Sequence, residues 1–133
     1  MSYDIFVLDL PADITDVDQI PADFKAGHLG PRAAIVDAIR RVVPEAAFDE
    51  TGWASIDGAD YSVEINLGTE DPVDSFAFHL RGGEEALFVV ANILDTLGFR
   101  AVAPGTESGL FTLGTATQAY ARWRAYRDHV AGS

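Results

Sequence analysis

Apolar and polar residues alternate with a period of two through two neighbouring stretches of this chain. In Asp60–Leu67, the residues Tyr61, Val63, Ile65 and Leu67 alternate with Ser62, Glu64 and Asn66. In Asp74–Arg81, Phe76, Phe78 and Leu80 alternate with Ser75, Ala77, His79 and Arg81. This pattern buries one face of a sheet and turns the other toward water or a partner. The two stretches predict a hairpin whose tip is Gly68–Val73. Trp53–Asp57 adds a short strand before it, with Ala54 and Ile56 facing inward and Trp53 facing the polar side. Tyr3–Leu10 reads as a first strand, central in the sheet and ended by Pro11.

Three segments carry the helical period. Gly30-Pro31 opens the first, with Pro31 at the position where a missing N–H costs nothing. Its stripe is Ile35, Ala38, Ile39, Val42 and Val43, and Pro44 closes it. Glu84 and Glu85 begin the second at the positive end of the helix dipole, and Gly98 ends it. Thr115 and Gln118 stand at capping-box spacing and predict a third helix running to about Val130. Between the last two helices, Phe99–Ala103 and Leu110–Leu113 read as short strands joined by a turn at Pro104–Gly109. The order β-α-β-β-β-α-β-β-α predicts a single α+β domain over residues 1–133, with a mostly antiparallel sheet and three helices packed largely on one face.

Composition narrows the chemistry. The chain has 133 residues and no cysteine, which excludes disulfides, thiol nucleophiles and cysteine-bound metals. The N-terminus lacks the basic and long apolar regions of a signal peptide, and no apolar run reaches bilayer-spanning length, so a cytoplasmic protein is expected. The formal net charge is −12 and is unevenly distributed. From Met1 to Asp74 there are 16 acidic residues against Lys25, Arg32, Arg40 and Arg41, whereas acids and bases balance thereafter. A field of this sign repels nucleic acid and favours a basic protein partner or divalent cations.

Pro11–His28, which holds Asp13, Asp16, Asp18 and Asp23, is expected to be an irregular loop. Structureless loops of this length are uncommon and often functional. The acidic spacing lacks the glycine and distal glutamate of an EF-hand, and the three histidines show no ligand spacing, so no metal and no cofactor are expected. On the polar hairpin face, symmetric pairing about the tip would set Asp60 opposite Arg81, Ser62 opposite His79 and Glu64 opposite Ala77. Glu64 would then reach His79 diagonally. A catalytic reading makes His79 a base oriented by Glu64, with Arg81 nearby, but no nucleophile motif accompanies them. Arg81-Gly82-Gly83 at a helix N-terminus reads as a turn and cap rather than an anion cradle, because Glu84 and Glu85 already occupy that end. Phe88 falls in the polar arc of the second helix, either covered by the loop or available to a partner. Tyr120, Trp123 and Tyr126 are expected to be core.

The stretches Met1–Val7, Phe76–Gly83 and Arg122–Arg127 resemble a group of small, single-domain bacterial proteins of unassigned function. The resemblance implies a bacterial cytoplasmic origin and carries no catalytic residues with it. The leading expectation is a non-enzymatic, acidic protein-binding domain, in its most concrete form an immunity-like or regulatory module. Its binding residues would be Asp13, Asp16, Asp18, Asp23, Trp53, Glu64, His79 and Phe88. The alternatives are a small hydrolase or transferase-like enzyme with a site at Glu64, His79 and Arg81, and a homodimer formed through Phe88 or an exposed sheet edge.

Overall fold

The computed structural model describes residues 2–132, with side chains up to residue 130. The elements run β1 (Tyr3–Leu8), α1 (Arg32–Val42), β2 (Trp53–Asp57), β3 (Tyr61–Asn66), β4 (Ser75–Gly82), α2 (Glu85–Leu97), β5 (Ala101–Val102) and α3 (Leu113–Gly132). The strands form one antiparallel sheet in the order β2-β3-β4-β1-β5. The N-terminal strand is therefore interior, held between β4 and the short β5.

The α+β architecture follows from the alternation. Tyr3, Ile5 and Val7 of β1, Ala54 and Ile56 of β2, Val63 and Ile65 of β3, and Phe76, Phe78 and Leu80 of β4 all point to one side and are buried. Ile35 and Ile39 of α1, Leu87, Val90 and Ile93 of α2, and Ala116 and Tyr120 of α3 close over that side in a single cluster. Burial of this apolar surface is the dominant favourable term in folding. The helices cover one face only.

Boundaries differ from the sequence reading where tertiary contacts decide them. Strand β1 stops at Leu8, and Leu10 donates back to the Leu8 carbonyl (2.9 Å). Of the expected strand Leu110–Leu113, only one bridge remains, Leu110 opposite Val102. Helix α3 starts at Leu113, with Thr112 rather than Thr115 at its head; the Thr115 N–H approaches Thr112 Oγ1 at 3.4 Å and the Ala116 N–H bonds the Thr112 carbonyl at 2.8 Å. Helix α1 begins after Pro31 and lacks a cap from its own neighbouring side chains. The hairpin tip supplies one instead, because the Arg32 N–H donates to Asp71 Oδ1 (3.0 Å). Helix α2 ends at Gly98, whose φ of 72° lies in the left-handed region that glycine enters without strain.

Two expectations about stability follow. Asp71→Ala removes the borrowed cap of α1 and should cost about 1 kcal/mol in urea denaturation, with Asp71→Asn costing less. Tyr3 is buried and donates to the Pro104 carbonyl (2.5 Å). Burial pushes its phenol from the usual 10.0 up to about 12, against the opposing charge of Arg122. Tyr120, which donates to the Gly82 carbonyl (2.9 Å), is raised by burial too, against Arg124 and Arg127. The unfolded chain releases the Tyr3 proton first, so this contribution to stability is complete below about pH 10 and declines as pH rises toward 12. Urea midpoints should fall across that window, and Tyr3→Phe should flatten part of the decline.

Candidate functional site: the uncovered sheet face

The register aligns the outward-pointing residues into rows across the sheet. One row runs Trp53, Asn66, Ala77, Phe6 and Val102, and the next Ser55, Glu64, His79 and Asp4. No helix covers these rows, and Phe6 remains 47% and Trp53 36% exposed. Trp53 faces this side as the inward placement of Ala54 and Ile56 requires. It reaches across β3 to stack on the His79 ring, with centroids 5.4 Å apart and planes 19° from parallel. Asp49 fixes the start of β2 by accepting from the Trp53 N–H (3.1 Å), while the Asp49 N–H donates to the Trp53 carbonyl (2.9 Å). The Asp49 carboxyl is held below its ordinary range chiefly by the Thr51 hydroxyl and then by the Trp53 N–H.

The hairpin pairing corrects the symmetric expectation by two residues. Ser62 lies opposite Arg81, and Glu64 opposite His79, rather than Ser62 opposite His79 and Glu64 opposite Ala77. Val73 is the cause. Its N–H donates to the Gly30 carbonyl (2.9 Å) and its carbonyl accepts from the Leu29 N–H (2.8 Å), which draws it out of the hairpin. A shift of two leaves every side chain on its predicted face, whereas a shift of one would have reversed them all.

Although this register sets Glu64 directly opposite His79, the two side chains bond elsewhere and the expected unit is replaced by two pairs. Glu64 forms an ion pair with Arg81. His79 bonds through Nδ1 to Asp4 Oδ1 (2.7 Å), a residue the sequence reading did not single out. Asp4 was predictable as outward-facing from its place between Tyr3 and Ile5, but its neighbour depended on strand order. In the neutral tautomer whose Nδ1–H donates to this carboxylate, Nε2 is the acceptor, the arrangement a general base would use. No hydroxyl bonds to that imidazole among the described residues.

The acidic loop lies on this same uncovered side. Arg100 clamps it through two main-chain carbonyls, those of Pro11 (2.7 Å) and Ile14 (2.8 Å), and the Val17 N–H bonds the Ser108 carbonyl (2.9 Å). Leu10, Ile14 and Leu110 form a second small cluster with Leu8, Val17, Ile20 and Val102. Leu8 and Val102 alternate with the core residues Val7 and Ala101, so they project from the uncovered face. The loop therefore banks against that face at the β1–β5 edge. It is also less irregular than expected, with a short 3₁₀ turn at Val17–Gln19 capped by Asp16, which accepts from the Asp18 N–H (2.8 Å). Asp13, Asp18 and Asp23 are exposed and have no ion-pair partner among the described residues.

Other candidates lie elsewhere. Phe88 is 45% exposed on α2, on the helical side of the molecule, so it does not join Trp53, Glu64 and His79. His28 pairs with Asp74, and among the described residues no group of three His, Cys, Asp or Glu side chains could hold a metal ion. At Arg81-Gly82-Gly83 the Gly83 N–H is already bonded to the Asp60 carbonyl (2.8 Å). Tyr120 is core, but Tyr126, expected to be core as well, is 62% exposed.

Two grooves mark the uncovered face. One of about 400 Å³ is lined by Phe6, Leu8, Asn66, Gly68, Ser75 and Ala77 among others. The other, of about 410 Å³, lies where α3 meets the rim, with Asp4, Phe6, Pro104, Arg122, Trp123 and Tyr126 among its walls. Phe6 lines both. No family model matches this chain, and no curated protein or solved structure matches it significantly. Among the described residues no helix is long and apolar enough to cross a membrane.

Arg100→Ala should release the loop while sparing the sheet, because both of its bonds are to loop main chain. Charge-assisted bonds of this kind each contribute about 1.5–3 kcal/mol. Hydrogen exchange should quicken at the Val17 amide, with strand amides in β1 and β4 unchanged.

Proposed function

We propose that this chain is a non-enzymatic binding domain that docks a basic protein on its uncovered sheet face and adjoining acidic loop. An immunity-like role against a basic toxin, in the cytoplasm, is the most concrete form of this reading. The observation that carries it is the second hydrophobic cluster, in which Ile14, Val17 and Ile20 of the loop pack with Leu8 and Val102 of the sheet. That packing is what supports reading the unpaired carboxylates and the exposed aromatics as one surface. The combination fits a partner with apolar anchors and positive charge around them, since exposed apolar patches rimmed by polar residues mark interaction sites. Opposite potentials would speed encounter and make it sensitive to salt.

The test is capture from native lysate at low salt, repeated at high salt, with three forms of the protein as bait. The wild type should retain a stoichiometric basic protein and release it as salt rises. Substitution of Asp13, Asp16, Asp18 and Asp23 by asparagine should slow association about tenfold or more. Phe6→Glu, which places a charge in the centre of the face, should abolish capture. A partner retained equally by all three baits would remove both the loop and the sheet face from the interface.

A further inference from the structure

We infer that the groove between Phe6 and α3 is a pocket for an arginine side chain of the basic partner, an inference that rests on the protein-binding reading above. The carboxylate of Asp4 is the central observation. Both of its bonds, from the Ser2 hydroxyl (2.5 Å) and from His79 Nδ1 (2.7 Å), fall on Oδ1. Oδ2 has no partner among the described residues, on a side chain that is 36% exposed. The group is thus held in a fixed orientation with one acceptor oxygen free. An apolar occupant would strip water from that oxygen and leave it unpaired, which is costly. A guanidinium would replace the water with N–H donors.

The walls favour the same ion. Phe6 is 47% and Tyr126 62% exposed, and both line the groove, whose volume of about 410 Å³ exceeds what one arginine side chain needs. Arginine stacks on aromatic rings and meets carboxylates with a planar fork of donors, which lysine does not. The chain already uses this contact internally: the Arg127 guanidinium sits 5.2 Å from the Trp123 ring centre. Trp123 is also stacked on Tyr120 at 5.4 Å, so Phe6 and Tyr126 are the rings left for a partner. Arg122, the cation on the groove wall, is tied to the Gly105 carbonyl (2.7 Å) and opposes any incoming positive charge.

The probes are hexa-arginine and hexa-lysine peptides, titrated into labelled protein at low salt and followed by NMR. Hexa-arginine should shift the Trp123 indole N–H and the Asp4 and Phe6 amides and bind about tenfold tighter than hexa-lysine. Asp4→Asn keeps the acceptor at Oδ1 and replaces Oδ2 with a donor, so it should erase that difference. Tyr126→Ala, at an exposed position outside the core, should narrow it without affecting the fold. Equal affinities, with shifts confined to the Asp13–Asp23 loop, would overturn the arginine pocket and leave the protein-binding reading standing. Absence of binding by either peptide would overturn both. Concentration-dependent groove shifts without peptide would assign the groove to a second copy of the chain and overturn the arginine pocket.

Discussion

The antiparallel pairing of β1 with β4 is the contact on which the rest of this molecule depends. It carries the first strand into the sheet interior, so that Tyr3, Ile5 and Val7 join the core beneath the helices. The same pairing sets Asp4 beside His79 and Phe6 beside Ala77 on the opposite face. Because successive strand residues point to opposite sides, the strand cannot serve the core without also furnishing the surface. The core thereby dictates which residues meet on the uncovered side. Trp53, stacked on His79, extends that arrangement to the far edge.

Helices on one face only leave an antiparallel sheet half covered, a situation such sheets tolerate when the other face is polar. Here the other face is mixed. Its charged residues are mutually paired, Asp4 with His79 and Glu64 with Arg81, and its aromatics are not fully enclosed. The acidic loop and the turn after β5 cover one edge of it, and the later part of α3 flanks the rim. The result is a floor with two walls.

Much of this architecture was legible in the sequence because it depends on local periodicity. The β3–β4 hairpin, the inward stripe of α1 and the glycine stop of α2 are each written within a few residues. The register of the hairpin was not, because it is decided by Val73 bonding to Leu29 and Gly30, outside the hairpin itself. The head of α3 was displaced by a few residues because Thr112 and Thr115 offer the same cap chemistry three positions apart. The site was legible in part. Trp53, Glu64 and His79 were correctly assigned to one face by alternation. The true partner of His79 lies 75 residues away, and only strand order brings it near. Likewise, nothing in the spacing of Arg100 indicated that it holds the loop.

The way Arg100 holds that loop has a consequence for how the protein can change. Its guanidinium reads main-chain carbonyls of Pro11 and Ile14, and the buried anchors of the segment are Leu10 and Ile14. None of these contacts uses Asp13, Asp18 or Asp23. Asp16 caps the 3₁₀ turn, but the shape of the loop is independent of the other three charges. Substitutions at these positions can retune the surface potential while leaving the backbone path and the core untouched. The surface charge of this edge could drift through these few solvent-facing codons, with the folding problem already solved beneath them.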